Sequence, residues 1–167
     1  MDTKLTSLEV IGLAIRSEED AAVFYTHIAQ LIENDLVRAK YHHLAKEEAL
    51  HRKLLVQHYK DLSGDKTKPP PIPGAPQTAE GGAVPQDIAD SLEDLLKLAI
   101  EREYKARDFY RQAASTSADL SGRRILEYLA HVEQGHATML ENELEAYLDD
   151  KQWYAGEGSP GMIHLGP

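Results

Sequence analysis

Glu48-Ala49-Leu50-His51 returns 85 positions later as Glu133-Gln134-Gly135-His136, and this recurrence decides the fold. Both stretches lie in segments of helical periodicity. Residues three apart share one face of an α-helix, so each carboxylate and its imidazole point at one spot, which is able to hold a metal ion. The same offset relates the segments upstream: Leu13, Ala14, Ile15, Glu18, Ala21, Phe24, Tyr25 and Ala29 match Leu98, Ala99, Ile100, Glu103, Ala106, Phe109, Tyr110 and Ala114, while Leu44 and Ala45 match Leu129 and Ala130. The chain reads as a duplicated helical hairpin. Each copy offers one Glu from its first helix and a Glu-x-x-His pair from its second.

Working outward, Thr6 or Ser7 is placed to cap a first helix whose apolar positions Leu8, Ile11, Ile15, Ala22, Tyr25 and Ile28 recur at the helical period. This helix is expected to end near Asn34. Asp35 is expected to cap a second helix reaching about Tyr59, with Leu36, Ala39, His43, Leu44, Leu50, Leu54 and Leu55 as its inward stripe. So short a link makes the two antiparallel neighbours. Over residues 63–86 the prolines and glycines, Pro69-Pro70-Pro71, Pro73-Gly74 and Gly81-Gly82 among them, oppose regular structure. A helix of about 27 residues is roughly 40 Å long, and about 24 extended residues reach nearly twice that. The linker is therefore long enough to cross a whole bundle. A third helix is expected over residues 87–115 and a fourth over 120–149, with Ser117 or Asp119 as the cap of the fourth. The expected architecture is all-α: one domain over residues 1–150, a ferritin-like four-helix bundle of two duplicated antiparallel hairpins joined by a long crossover. An irregular tail, residues 151–167, is expected to lay Trp153 and Tyr154 over an edge of the bundle.

Composition narrows the function. At 167 residues the chain supports one core of good size. A formal net charge of −10 without a basic patch argues against nucleic acid or an anionic membrane as partner. No apolar run of spanning length is present, and Met1-Asp2-Thr3-Lys4 lacks the layout of a signal peptide, so a cytoplasmic protein is expected. Zero cysteines exclude disulfides, thiolate zinc sites and cysteine-ligated iron–sulfur clusters. Any metal must be held by nitrogen and oxygen.

With each apolar stripe turned inward, Glu18, Glu48, Glu103 and Glu133 meet near the middle of the bundle together with His51 and His136. Four bare carboxylates in a low-dielectric core repel one another and lose hydration, so without counter-charge most take up protons. Two divalent cations remove the problem, because four negative charges and two ions of charge +2 sum to zero. By symmetry each metal takes one terminal Glu, Glu18 or Glu103, and one His, His51 or His136, with Glu48 and Glu133 bridging. This leaves open positions suited to O₂ or peroxide, and a thiolate-free set that suits iron or manganese and accepts zinc. Tyr25 and Tyr110 each lie seven residues after a terminal Glu, on the same face, and are placed to donate a hydrogen bond to a carboxylate ligand; plain core filling is the competing role. His27, His42, His58 and His164 have no partner at the offset, nor do His43 and His131 match each other, so surface or structural roles are expected for all six. Glu19, Glu47 and Glu101 sit just off the ligand face and are expected to be solvated.

Glu18 with Tyr25, Glu48-x-x-His51, Glu103 with Tyr110, and Glu133-x-x-His136 resemble the ligand pattern of the rubrerythrins and their relatives in the ferritin-like di-iron carboxylate superfamily. The resemblance implies two iron ions, and reduction of hydrogen peroxide or O₂, or oxidation of ferrous iron, as the chemistry. Rubrerythrins proper carry a further glutamate three residues after the third-helix Glu, where this chain has Ala106, and a cysteine-ligated iron centre that this chain cannot build. An external electron donor is therefore expected. The six-ligand set is similar to that of bacterioferritins, but their haem-binding Met is replaced by Ala49, so no haem is implied. The leading expectation is a di-iron oxidoreductase with Tyr25 and Tyr110 assisting. Ferroxidase or iron-handling activity is the alternative, and a non-enzymatic buried polar network the third reading. Duplicated halves are interchangeable between two chains, and a homo-oligomer, dimer or higher, is expected.

Overall fold

The computed structural model describes residues 6–64 and 91–154. Four long helices are present among them: α1 (Ser7–Leu31), α2 (Asp35–Ser63), α3 (Leu92–Thr116) and α4 (Leu120–Asp149). α1 packs along α2 and α3 along α4, making the two expected hairpins, while the hairpins approach each other less closely. Most of the expected linker, residues 65–86, and the tail beyond residue 154 lie outside the described residues. No helix among the described residues is long and apolar enough to cross a membrane.

Local chemistry sets the boundaries. Thr6 and Glu9 form a reciprocal capping box at the start of α1. α1 stops at Leu31 rather than Asn34, because Asn34 serves α2: its Oδ1 accepts from the backbone of Leu36 at 3.0 Å and Val37 at 3.2 Å. Asp35, expected as the cap, is the first residue inside the helix. α2 runs past Tyr59 to Ser63 and ends on Gly64, whose φ of 69° is the left-handed cap conformation. α3 is described from Leu92 with Ser91 as its cap, the expected residues 87–90 lying outside the described residues, and Asp119 caps α4 as expected. The tail, expected to be irregular, opens with a helical turn, α5 (Lys151–Tyr154). Trp153 packs against the core and its carbonyl accepts from Asn34 Nδ2 at 2.9 Å.

The inward stripe of α2 differs from expectation. Leu36, Leu50 and Leu54 are exposed, as are Ala39 and His43; the buried seam positions, with Tyr59 buried beside the last of them, are Val37, Tyr41, Leu44, Glu48, His51, Leu55 and His58. These alternate by fours and threes, as do Gly122, Leu126, Leu129, Glu133, His136, Leu140 and Glu143 on α4. That alternation is the seam of a bundle, and the Glu-x-x-His pairs occupy seam positions. Two apolar clusters fill the ends: one around Phe24, Tyr41, Leu44 and Leu96, the other around Ile11, Leu55, Leu126 and Leu129. The polar residues lie in the layer between them.

His58 is buried near the second cluster, with Nε2 3.2 Å from Asp119 Oδ2. Gly122 makes room for this pair: a Cβ there would stand 2.8 Å from both atoms, whereas nothing lies within 4 Å of one at Gly135. Replacing Gly135 by Ala is expected to stabilise the metal-free protein by up to about 1 kcal/mol through helix propensity. Gly122→Ala is expected to destabilise it by about 1 kcal/mol, because displacing Asp119 removes the α4 cap and more than offsets the propensity gain. Urea midpoints of the two variants against the parent check the opposite signs.

Candidate metal centre

α1 supplies Glu18, α2 supplies Glu48 and His51, α3 supplies Glu103, and α4 supplies Glu133 and His136. All six are buried, none more than 7% exposed. Ligand atoms of Glu18, Glu48, His51 and Glu133 lie within 4.8 Å of one another, and so do those of Glu48, Glu103, Glu133 and His136. Each group thus holds one terminal Glu and one His, and Glu48 and Glu133 belong to both, as the internal symmetry requires. Both imidazoles present Nδ1. His51 Nδ1 stands 3.1 Å from Glu18 Oε2 and 3.1 Å from Glu48 Oε2. His136 Nδ1 stands 3.1 Å from Glu133 Oε2, 3.2 Å from Glu48 Oε1 and 3.6 Å from Glu103 Oε2. The two rings lie nearly parallel with centroids 5.9 Å apart.

The residues fit a pair of cations. Glu48 Oε1 and Glu133 Oε1 are buried and accept no hydrogen bond, the nearby His136 Nδ1 lacking the geometry to supply one to Glu48. These are one oxygen from each shared glutamate, and a buried carboxylate oxygen without a donor is costly unless a cation meets it. The donor set, four carboxylates and two imidazoles with no sulfur, suits iron or manganese.

The family description Rubrerythrin matches residues 9–149. The chain belongs to the rubrerythrin family. Its family, its ferritin-like fold and its buried Glu/His cluster are together those of a di-iron protein. Among solved structures, this rubrerythrin-family chain is similar to a hypothetical protein from Pyrococcus furiosus, with 27% identity, a TM-score of 0.69, and 87% of this chain and 92% of that one covered. A bacterioferritin from Rhodobacter capsulatus, described with haem iron and a metal-free dinuclear site, shares the fold at a TM-score of 0.70 and 22% identity over 98% of this chain and 99% of its own. An uncharacterised conserved protein from Magnetospirillum magnetotacticum does so at 0.63 and 20%, over 95% of this chain and all of its own. No curated protein matches the chain.

The tyrosines reach across the bundle. Tyr25 on α1 donates to Glu103 Oε1 on α3, and Tyr110 on α3 donates to Glu18 Oε1 on α1. Each therefore serves the terminal Glu of the opposite hairpin. Burial, reinforced by the facing carboxylate, holds both phenols well above the ordinary tyrosine range, so they remain neutral donors. Glu47, expected to be solvated, departs from that expectation. It is half-buried, with Oε2 3.4 Å from His136 Nε2 and 3.6 Å from the exposed His43 Nε2. No sequence signal marks it, because the contact forms only when α2 meets α4. Glu19 and Glu101 are exposed as expected, and so are His27, His42, His43 and His131; His164 lies outside the described residues.

Without metal the cluster stores protons. Burial, with the Glu48 charge beside it, pushes Glu18 up to about 8, and burial pushes Glu133 up to about 11. For Glu48 burial is outweighed by the two imidazoles beside it, His136 and His51, which bring it down to about 2. Burial also opposes the charge on His51, but Glu18 and Glu48 raise it to about 9, and Glu103, Glu133 and Glu48 raise His136 further. At neutral pH, Glu18, Glu133, His51 and His136 thus hold protons that an incoming metal must displace. Loading two divalent ions is expected to release about four protons per chain, and metal affinity is expected to rise with pH through about 8 to 9. Calorimetric titrations in buffers of different ionisation enthalpy read both. Glu48→Ala and Glu133→Ala are expected to hold fewer than two metals per chain by elemental analysis. Glu19→Ala is expected to retain both, since Glu19 faces solvent beside Arg52; equal loss from all three would contradict the face assignment.

Proposed function

We propose that this protein is a di-iron oxidoreductase that reduces hydrogen peroxide or O₂ with electrons from an external donor. The observation that supports it best is a charge-balanced six-ligand cluster, buried yet bordered by a cavity whose wall includes Glu18, Glu103 and Glu133. A ligand entering there reaches Glu18, Glu103 and Glu133, while the two imidazoles do not line the cavity. Glu18, Glu48, His51, Glu103, Glu133 and His136 would hold two iron ions, which supply one electron each as Fe²⁺ becomes Fe³⁺. Manganese or zinc fits the same donors.

The chain's own residues do the rest. Tyr110 and Tyr25 fix the carboxylates of Glu18 and Glu103 in place, and being held neutral they orient these ligands rather than titrate. Apolar clusters above and below the layer keep bulk water away. Reduction of hydrogen peroxide consumes two electrons and two protons and yields two waters. With no cysteine in the chain, a cysteine-ligated centre cannot deliver those electrons internally.

Protein loaded anaerobically with two Fe²⁺ per chain and mixed with hydrogen peroxide is expected to oxidise both irons within seconds, consuming one peroxide per pair, followed by near-ultraviolet absorbance. A correctly loaded protein that stays ferrous sinks the proposal. Tyr110→Phe is expected to weaken metal binding or activity about tenfold or more by freeing Glu18. Ala106 in place of a seventh ligand favours a second reading, ferroxidase or iron-handling activity. Continued oxidation of Fe²⁺ far beyond two per chain, with growth of a ferric core, would favour that reading over the first.

A further inference from the structure

The cavity between α1 and α3 has a volume of about 490 Å³. Hydrogen peroxide is of the order of one or two water molecules, each taking about 30 Å³ of liquid. The space is instead of the size that holds organic ligands, and like such sites it is mostly apolar. Its apolar wall is built from pairs related by the duplication: Leu13 with Leu98, Ala21 with Ala106, Phe24 with Phe109. The small pair matters most. Ala21 and Ala106 each follow a terminal Glu by one helical turn, so a longer side chain at either position would enter the space beside the metal ligands.

The symmetry breaks at Ser17, whose counterpart is Arg102, and at Asp20, whose counterpart is Lys105. Arg102 lies over the Phe24 ring, with Cζ 4.2 Å from its centroid, and its Nη1 is buried without a hydrogen-bond partner. Arg102 also lines the cavity, and for a guanidinium at a cavity wall a carboxylate is the matching acceptor. The cavity therefore has an apolar body, Arg102 on its wall, and an end formed by Glu18, Glu103 and Glu133; Asp20 and Lys105, the latter paired with Glu101 at 2.6 Å, line it too.

We propose that this cavity binds an organic hydroperoxide bearing a carboxylate, its body against Phe24 and Phe109, its carboxylate on Arg102, and its peroxide group toward the cluster. The inference rests on the peroxide-reducing reading and names its substrate class. The O–O bond breaks, two electrons come from two Fe²⁺ that become Fe³⁺, two protons are taken up, and the products are the alcohol and water.

The test uses metal-loaded protein and three compounds: cumate (para-isopropylbenzoate) as an unreactive probe, the para-carboxylated derivative of cumene hydroperoxide as substrate, and hydrogen peroxide. Cumate is expected to bind once per chain by calorimetry, and Arg102→Gln to weaken it about tenfold. The carboxylated hydroperoxide is expected to oxidise the ferrous protein faster than hydrogen peroxide at equal concentration. Ala106→Phe is expected to slow the organic reaction at least tenfold more than the hydrogen peroxide reaction. If hydrogen peroxide reacts while the organic peroxide does not and cumate fails to bind, the inference is overturned and the peroxide reading stands. Cumate binding that neither variant weakens places the ligand elsewhere and also overturns it. Protein that reacts with neither peroxide overturns the peroxide reading itself, and the substrate assignment with it.

Discussion

Four buried carboxylates in one layer are the constraint on which the structure depends. An apolar core tolerates such a layer only if each negative charge is met, by protons on the ligands themselves or by cations. This explains why the layer sits in the middle of the bundle, sealed by an apolar cluster at either end, and why each helix delivers its carboxylate at the same height. It also explains the spacing of the helices. The hairpins pack tightly within themselves and meet each other across a wider gap, and it is in this gap that the carboxylates, imidazoles and phenols of the layer are found.

The tyrosines follow from the same constraint. A terminal glutamate fixed only by its own helix would be free to swing toward any counter-charge. A phenol from the other hairpin holds one oxygen and leaves the second for the centre of the layer. Since α1 and α3 each give one such phenol and each receive one, the two hydrogen bonds also tie hairpin to hairpin. Assembly of the bundle and preparation of the ligands are thus one event, which is the physical sense in which a duplicated hairpin makes one site rather than two half-sites.

Much of this was legible in the sequence because it is periodic. The repeat at 85 residues fixed the hairpins, and the three-residue spacing of Glu48 with His51 and Glu133 with His136 fixed the ligand faces. What misled was counting leucines on α2. Leu36, Leu50 and Leu54 face solvent, because inward positions between Val37, Tyr41, Leu44 and Leu55 are taken by Glu48, His51 and His58, which hydropathy counts against burial. Contacts between hairpins were not legible. The partner of each tyrosine, the approach of Glu47 to His136 and the cavity walled by Ala21 and Ala106 all depend on how two separately periodic units face each other, and no spacing within one helix encodes that.

The departures from internal symmetry then carry the information that the repeat cannot. Glu47, whose carboxylate lies 3.4 Å from His136 Nε2, corresponds to Val132 in the second copy, and His43 corresponds to Tyr128. His136 is accordingly backed by a carboxylate and, beyond it, an exposed imidazole, whereas the ring of His51 meets the edge of Tyr128 with centroids 6.5 Å apart. A carboxylate behind a ligating imidazole raises its basicity and fixes its ring, and an aromatic edge does neither to the same degree. The two candidate ligand groups therefore share residue types and differ in what stands behind them. The opposite face shows the same logic, because the walls between α1 and α3 are matched in Leu13 with Leu98, Ala21 with Ala106 and Phe24 with Phe109, and unmatched at Ser17 with Arg102 and Asp20 with Lys105. The repeat gives two matched Glu/His groups, and the residues that depart from it give each side of the layer a direction.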